Sequence, residues 1–174
     1  RGLGDVYKRQ HWSSIMLDKS AFRHAMSHLP TAVTIVTSSG SCGAAACTVS
    51  SVCSVTDDPP TLLVCINRAS NNNSVIRNNG SLCVSILSGE QSNIAMQCAN
   101  HQVSVEERLA LFDADVLVTG SPAVVDSVCC LDCRVDNIVE SGTHSVFFCQ
   151  VLSSKAFVGK DALVYYCRNY HRVS

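Results

Sequence analysis

Hydroxyl and amide side chains are concentrated in two stretches of the chain, and these residues are the best candidates for binding a ligand. The first stretch holds Thr48, Ser50, Ser51 and Ser54, and the second holds Asn67, Ser70, Asn71, Asn72, Asn73 and Ser74. Together with backbone N–H groups at the start of a helix opened by Ser70, such groups can bind a phosphate, with Arg68 and Arg77 nearby to assist. An ordinary hairpin and a capped helix contain the same residue types, so the spacing alone leaves both interpretations open.

A second candidate group lies near the C-terminus. Gly142, Thr143 and His144 precede an apolar stretch, and a cluster of aromatic and basic residues ends the chain: Tyr165, Tyr166, Arg168 and Tyr170. A histidine at the mouth of a strand is commonly a turn residue, and tyrosines with arginine commonly form an amphipathic edge. Neither set identifies a reaction by itself.

Eleven cysteines raise the question of a disulfide or metal framework. The count is odd, no signal peptide is visible, and a chain of this length can bury a core without cross-links. Cys130 and Cys133 form a CxxC motif, but residues three apart on a strand point to opposite faces and cannot easily share a metal. We therefore expect core packing for this pair, no metal site, and a reduced, cytoplasmic protein.

The common catalytic motifs are missing from the sequence. It contains no Walker A loop, no GxGxxG after a strand, and neither GxSxG nor HExxH. His24 and His28 are spaced for one helix face, but no third ligand accompanies them, so a solvated face is expected. The residues thus indicate no acid–base pair and no nucleophile.

Composition excludes several classes of protein. The 174 residues include 13 basic and 14 acidic side chains, and 47% are hydrophobic. This length fits one domain, and the apolar content argues against disorder. The near-zero charge argues against nucleic-acid binding, and no apolar run approaches the roughly 20 residues that cross a bilayer.

The first ten residues differ in chemistry from everything that follows. Asp5 to Gln10, DVYKRQ, matches the in-frame translation of a common transposon-type sequencing adapter. We expect residues 1–10 to be non-native and residues 11–174 to form a single domain. Without the first ten residues, 10 basic and 13 acidic side chains remain, a net charge of −3.

The pattern of apolar residues predicts a mainly β chain with short α insertions. Asp18 is expected to cap a first helix that ends at Pro30, and Ser70, Ser88 and Ser104 are expected to open three more. The expected strands are 31–37, 44–55, 61–66, 81–87, 129–136, 145–152 and 162–167. Strands at such short spacing predict an antiparallel barrel rather than βαβ units.

Seven stretches, in this order, resemble the short-chain flavin reductase family. They are FRHAMSHLPTAVTIVTS, CGAAACTVSSVCSVTDDPPTLLVCINRAS, GSLCVSILSGEQ, EERLALF, GSPAVVDSVCCLDCRV, the GTH triplet, and LVYYCRNYHRV. They run from about Phe22 to Val173, which is nearly the whole chain after the first ten residues. No single stretch is diagnostic, but their order makes the resemblance strong.

The resemblance implies an FMN-binding split β-barrel with antiparallel Greek-key topology, usually a homodimer with flavin close to the subunit interface. It implies oxidation of NADH or NADPH and reduction of FAD, FMN or riboflavin. The reduced flavin then passes to a separate aromatic monooxygenase. Two alternatives stay open: a flavoprotein with tightly bound FMN or FAD that acts on another substrate, and a non-catalytic flavin- or haem-binding module.

The resemblance also assigns site residues. The flavin set is Thr31, Thr48, Val49, Ser50, Ser51, Ser54, Asn67, Ser70 and Arg108, with Asn67 and Ser70 in the phosphate-contacting turn. The family's Arg-Phe motif is altered, because Leu109 stands in place of the Phe. The NAD(P)H set is His144, Arg168 and Tyr170. No catalytic side chain is expected, because the hydride passes directly between the two cofactors.

Overall fold

The computed structural model describes residues 17–174, so the expected non-native segment at residues 1–10 lies outside the described residues. All paired strands are antiparallel. This agrees with the predicted mainly β chain with short helices. No helix in this range is long and apolar enough to cross a membrane.

Helices and strands follow one another along the chain as follows. They are α1 (Lys19–Met26), β1 (Thr31–Ala32), β2 (Thr34–Gly40), β3 (Gly43–Val49), β4 (Val52–Asp57), β5 (Pro60–Asn67), α2 (Asn71–Asn79), β6 (Ser81–Ile86), α3 (Ser92–Ala99), α4 (Val105–Leu109), β7 (Ala114–Val116), β8 (Pro122–Val124), β9 (Cys129–Ser141), β10 (His144–Ala156), β11 (Ala162–Tyr166) and β12 (Asn169–Val173).

The main sheet has seven strands in the order β3-β2-β6-β9-β10-β5-β4. Its two edge strands, β3 and β4, are consecutive in the chain, and only Ser50 and Ser51 separate them. A link of two residues spans only a few ångströms per residue, so the sheet must curl until its edges meet. The seam of the curled sheet therefore lies at Ser50 and Ser51.

The inside of the curled sheet holds the larger apolar core. Its fully buried members include Val36 of β2, Val64 of β5, Val84 of β6 and Phe147 of β10. A second cluster, with Val33, Leu87, Ala95 and Leu163, packs α3 against the smaller sheet β1-β11-β12. These two cores fix the main sheet, α3 and the C-terminal hairpin, which is formed by β11 and β12, relative to one another.

The CxxC pair behaves as the strand geometry predicts. Cys133 belongs to the larger core, whereas Cys130 belongs to a third cluster with Cys83 and Ala123 on the other side of β9. In the sequence, Asp132 alternates with the apolar residues Leu131 and Cys133, which predicts an exposed position on the strand, but Asp132 is fully buried. Its carboxylate accepts hydrogen bonds from the backbone N–H of Thr119 at 2.7 Å and from the Thr119 hydroxyl at 2.5 Å.

Three of the predicted helix starts, at Asp18, Ser70 and Ser104, are confirmed by capping contacts. Asp18 accepts hydrogen bonds from the N–H groups of Ser20 and Ala21, and Ser104 forms a reciprocal capping box with Glu107. The prediction for Ser88 is wrong: the cap of α3 is Gln91, whose side chain reaches back to the Ser88 N–H.

The strand predicted over residues 44–55 is also wrong, because it divides at Ser50 and Ser51 into β3 and β4 on opposite edges of the sheet. Small apolar and hydroxyl residues continue on both sides of the break, and the adjacent pair Ser50 and Ser51 contains no Gly or Pro that would mark the end of a strand. The strand divides there because the sheet closes, and closure depends on contacts between strands that are distant in the sequence.

Candidate functional site

Two cavities open on either side of the sheet seam and share Ser50 and Ser51. The larger, here called the apolar cavity, has a volume of about 830 Å³. It is lined by Phe22, Arg23, Met26, Ser27, Leu29, Thr31, Ser50, Ser51, Val52, Cys53, Leu63, Tyr165 and Arg168. Most of its wall is apolar or aromatic, which suits a flat ring.

The smaller cavity, here called the polar cavity, has a volume of about 320 Å³. It is lined by Cys47, Thr48, Val49, Ser50, Ser51, Cys65, Ile66, Asn67, Ser70, Asn72, Cys98, Ala99, His101, Arg108 and His144. Hydroxyl, amide and cationic groups dominate this wall, which suits a polar chain ending in an anion.

The start of α2 brings backbone donors to the polar cavity. Ser70 is the N-cap, and its hydroxyl accepts a hydrogen bond from the Asn72 N–H at 3.3 Å. The preceding turn is held by the Asn67 side chain, which accepts from the Ala69 N–H at 2.9 Å. The positive end of the helix dipole favours an anion at such a helix start.

Arg108 carries a positive charge into the same cavity. The side chain is only 6% exposed, and its guanidinium donates to the Ala46 carbonyl at 2.9 Å and to the Asn100 carbonyl at 2.8 Å. Its Nε is buried and has no hydrogen-bond partner among residues 17–174. A buried charge with an unused donor and no carboxylate partner is costly unless an anion binds there.

Two thiols in the wall of the polar cavity stay protonated at neutral pH. Burial raises the pKa of Cys47 to about 12 and that of Cys98 to about 11, although the Arg108 charge pulls both downward. Thiolates are the nucleophiles and metal ligands, so these two cysteines act as small apolar wall residues.

The hydroxyl groups near the seam differ in their availability to a ligand. Thr48 already donates to the Ala95 carbonyl at 2.6 Å, and Ser51 donates to the Cys65 carbonyl at 3.1 Å. Both side chains can still accept a hydrogen bond from a ligand. Ser54 lines a third cavity of about 420 Å³, which shares Thr31, Ser50, Val52 and Cys53 with the apolar cavity.

The C-terminal hairpin places Arg168 beside the apolar cavity. Cys167 and Arg168 have positive φ angles of 46° and 63°, a left-handed conformation that usually selects Gly or Asn. The Cys167 N–H donates to the carbonyl of Ser27, the residue that ends α1, at 2.8 Å. This hydrogen bond ties the hairpin to the end of α1.

Most of the residues named from the sequence lie around these cavities. Val49, Ser50, Ser51, Thr48, Asn67, Ser70 and Arg108 line the polar cavity, and Thr31 and Arg168 line the apolar one. His144 lines the polar cavity, where it pairs across the sheet with Asn67, so it does not share a cavity with Arg168. Tyr170 lines none of these cavities and packs against Tyr165, with ring centroids 5.2 Å apart.

Arg68 and Arg77, expected from the sequence to assist phosphate binding, are held elsewhere. Both form ion pairs with Glu140, at 3.2 Å and 2.5 Å. Hydrogen bonds from Ser145 and then from Arg77 keep the pKa of Glu140 below its usual value, which preserves the carboxylate in these pairs.

Sequence reasoning missed the contribution of α1 to the site. Phe22, Arg23, Met26 and Leu29 all line the apolar cavity, yet no residue of α1 is buried. The sequence contained a signal for this role, because a short helix with an apolar stripe packs that stripe against another part of the protein. Which part α1 packs against depends on its hydrogen bond to the C-terminal hairpin.

The charges around the two cavities all have one sign. No Asp or Glu among residues 17–174 lines either cavity, although the chain has 14 acidic residues. The cavities instead present Arg23, Arg168 and Arg108. A curled antiparallel sheet with an acid-free seam of this kind suits a flat aromatic ligand that carries anionic groups.

Comparisons with known proteins identify the family. The profile of the flavin reductase like domain matches residues 26–174. The chain is 42% identical over 156 residues to the 4-hydroxyphenylacetate 3-monooxygenase reductase component of Pseudomonas aeruginosa, covering 89% of this chain and 92% of that one. It is 43% identical over 152 residues to the FMN reductase (NADH) RutF of Bradyrhizobium diazoefficiens, covering 87% and 84%.

The solved structures agree with the sequence comparison. A crystal structure of a candidate flavin reductase from Haemophilus somnus superposes with a TM-score of 0.88 at 41% identity, covering 90% of this chain and all of that one. The chain therefore belongs to the flavin reductase family and has its split-barrel fold, which confirms both the resemblance and the predicted fold class.

Proposed function

We propose that this protein is an NAD(P)H:flavin oxidoreductase that reduces FAD, FMN or riboflavin and supplies the reduced flavin to a partner aromatic monooxygenase. The observation that carries the proposal is the acid-free seam. There, the buried Arg108 with its unused Nε and the start of α2 adjoin a large cavity with apolar walls. The family membership supports the same reaction class.

The polar cavity fits the phosphate of a flavin nucleotide. Asn67, Ser70 and Arg108 supply the donors, and the helix dipole of α2 adds to their attraction for an anion. The seam residues Ser50 and Ser51, which line both cavities, would then lie along the polar chain that joins phosphate to ring.

The apolar cavity fits the flavin ring and the nicotinamide that donates to it. A bound flavin supplies the redox chemistry, because its ring accepts a hydride from a reduced nicotinamide. The protein has to hold the two rings together and exclude water, which the apolar walls of Val52, Leu63 and Tyr165 can do. Thr31 lies at this wall, and no acid–base pair is required.

The nicotinamide nucleotide is proposed to contact His144, Arg168 and Tyr170. Arg168 lies in the apolar cavity, whereas His144 lies in the polar one and Tyr170 backs the ring of Tyr165. The assignment of His144 and Tyr170 stays a prediction. Among residues 17–174, the apolar wall holds no carboxylate that could hydrogen-bond a ribose 2′-hydroxyl or repel a 2′-phosphate. The proposal therefore covers NADH and NADPH alike.

A homodimer is part of the proposal. Phe22 and Met26 on α1 and Leu29 just after it are 55%, 45% and 53% exposed, although they lie beside the cavity, and β4 is an exposed sheet edge. An apolar face of this kind next to a ligand site suits a second copy of the chain, which would also narrow the open side of the apolar cavity.

The dimer is tested by light scattering after size exclusion. We expect a mass of two chains for the parent protein and of one chain for a Phe22→Ser, Met26→Ser double variant. Val158→Ser is the matched control, because Val158 is fully exposed and lies in the β10–β11 connection. A monomeric parent protein would refute the dimer.

We place the protein in the cytoplasm, because all eleven cysteines are free in the structure and thiols persist in a reducing compartment. The likeness to the 4-hydroxyphenylacetate 3-monooxygenase reductase component supports transfer of the reduced flavin to a separate monooxygenase. The open cavities would allow the flavin to leave after reduction.

The turnover assay decides between the proposed activity and its two alternatives. Purified protein is mixed with NADH or NADPH and excess FAD, FMN or riboflavin, and the absorbance of the reduced nicotinamide is followed. We expect oxidation that depends on added flavin. Oxidation without added flavin would favour a tightly bound prosthetic group, and no oxidation with any flavin would leave only a binding module.

A further inference from the structure

Arg23 and Arg168 lie on two elements that are joined by a short series of backbone hydrogen bonds. The Ser27 N–H donates to the Arg23 carbonyl at 3.1 Å, and the Ser27 carbonyl accepts from the Cys167 N–H at 2.8 Å. Arg168 is the next residue. Both arginines line the apolar cavity, one from α1 and one from the left-handed turn.

Neither arginine is neutralised within the described chain. Arg23 and Arg168 form no ion pair with any residue from 17 to 174, and no carboxylate lines their cavity. Arg172, only four residues beyond Arg168 and exposed like it, pairs with both Glu90 and Asp161. An exposed arginine of this hairpin therefore forms ion pairs where a carboxylate lies within reach.

Two unpaired guanidinium groups beside an apolar cavity select a ligand that has a flat ring and a separate anionic group. The anion must lie outside the ring-binding wall, because both arginines are exposed whereas Leu63, Val52 and Tyr165 are half-buried. A guanidinium binds two oxygens of one phosphate at once, which makes a diphosphate the best match for a pair of arginines.

We infer that Arg23 acts with Arg168 as a diphosphate clamp for the nicotinamide dinucleotide and that it determines how well the protein distinguishes NADH from uncharged hydride donors. This inference rests on the proposed function. The two arginines hold the diphosphate of the dinucleotide, and the apolar wall holds its nicotinamide ring. The polar cavity, with its own arginine, stays available for the flavin phosphate.

The test compares two hydride donors with the same reacting ring. NADH carries the diphosphate, and 1-benzyl-1,4-dihydronicotinamide carries no charge. In Arg23→Gln we expect the KM for NADH to rise about tenfold, as for loss of one charge-assisted hydrogen bond. The kcat/KM for the benzyl compound should stay within about twofold of the parent value, because no phosphate contact is lost.

An equilibrium measurement accompanies the kinetics. Titration of the flavin-saturated protein with NAD⁺ in a calorimeter should show a dissociation constant about tenfold higher for Arg23→Gln. Lys19→Gln is the matched control, because it removes the same charge from the same helix at an exposed residue outside the cavity lining, and it should leave both constants unchanged. Arg23→Lys should recover part of the affinity.

Three results would overturn the clamp: an NAD⁺ dissociation constant within twofold of the parent value, an equal loss with the benzyl compound, or an equal loss in Lys19→Gln. Failure of the proposed function gives a different pattern, because the parent protein would then oxidise neither donor with any flavin. The NAD⁺ titration would still measure the contribution of Arg23 in that case.

Discussion

The polar and apolar cavities share Ser50 and Ser51 but hold their arginines in opposite ways. Arg108 in the polar cavity is buried and fixed by two backbone carbonyls, whereas Arg23 and Arg168 in the apolar cavity are exposed and form no ion pair with residues 17–174. A fixed charge in a buried site costs little reorganisation when an anion binds, but an exposed arginine must first be ordered. The difference predicts a preorganised contact for the flavin phosphate and, for the dinucleotide, a contact that is ordered only when that ligand binds.

The largest expected effect tests the buried arginine. Arg108→Met should raise the dissociation constant for FMN about 100-fold, close to 3 kcal/mol, because a charge-assisted contact to phosphate is lost. Riboflavin has no phosphate, so its dissociation constant should change less than about threefold. Both constants are measured by quenching of flavin fluorescence.

Arg108→Lys serves as the control for charge and should retain more FMN affinity than Arg108→Met. An equal loss of FMN and riboflavin affinity would show that Arg108 supports only the local fold, through its bonds to Ala46 and Asn100.

The thiols in the polar cavity predict alkaline instability. Burial raises the pKa of Cys98 to about 11 from an ordinary 9.0, so its stabilising contribution is complete below pH 9 and is lost as the pH rises toward 11. We expect the free energy of unfolding to fall between pH 9 and pH 11 by up to about 1.4 kcal/mol per pH unit for each such thiol. Urea unfolding at pH 8, 9 and 10 measures the slope.

Cys98→Ala should lessen that slope, since the alanine has no proton to lose. A slope that does not differ between the two proteins would mean that Cys98 is already accessible to water in the folded state.

The apolar cavity can be mapped by its own cysteine. Cys53 is exposed and lines this cavity, whereas Cys42 is equally exposed in the turn between β2 and β3, away from both cavities. With FMN and NAD⁺ at about ten times their dissociation constants, alkylation of Cys53 by iodoacetamide should slow about tenfold. Peptide mass spectrometry reads both rates, and Cys42 should not respond. If the ligands did not change the rate of Cys53 alkylation, the apolar cavity would not be part of the ligand site.

The smallest expected effect concerns the start of α2. Ser70→Ala removes the N-cap contact to Asn72 and should lower the free energy of unfolding by about 1 kcal/mol. If the same hydroxyl orients donors toward a phosphate, FMN affinity should also fall by about fivefold, with riboflavin unaffected.

Ser74→Ala, on the same helix, is the matched control, because the Ser74 hydroxyl only donates to the Asn71 carbonyl at an exposed position. A loss of FMN affinity that is as large in Ser74→Ala would point to the stability of the helix rather than to the phosphate contact.

Local sequence signals were sufficient for the elements with nearby partners. Asp18, Ser70 and Ser104 cap their helices as predicted, because capping depends on residues within three positions. The segments 61–66 and 81–87 form strands as predicted, because their apolar runs must be buried.

Signals that depend on distant residues were misread. Ser88 was expected to cap α3, but Gln91 is held by a hydrogen bond to the carbonyl of Val125, which lies on a separate segment of the chain. Asp132 follows the alternation of a half-exposed strand but is buried, because the loop that contains Thr119 covers it. In both cases the deciding partner is far away in sequence.

By itself the sequence determined the mainly β character, the caps, the hydroxyl-rich segment from Thr48 to Ser54 and the likeness to a flavin reductase. Only the tertiary structure decided that residues 44–55 divide at Ser50 and Ser51, because closing the sheet requires its edge strands to meet there. The tertiary structure also formed the two cavities, buried Arg108 without a carboxylate partner among residues 17–174, and placed Arg23 and Arg168 in the lining of one cavity. These arrangements join residues more than 60 positions apart, and local residue patterns do not report on contacts over such distances.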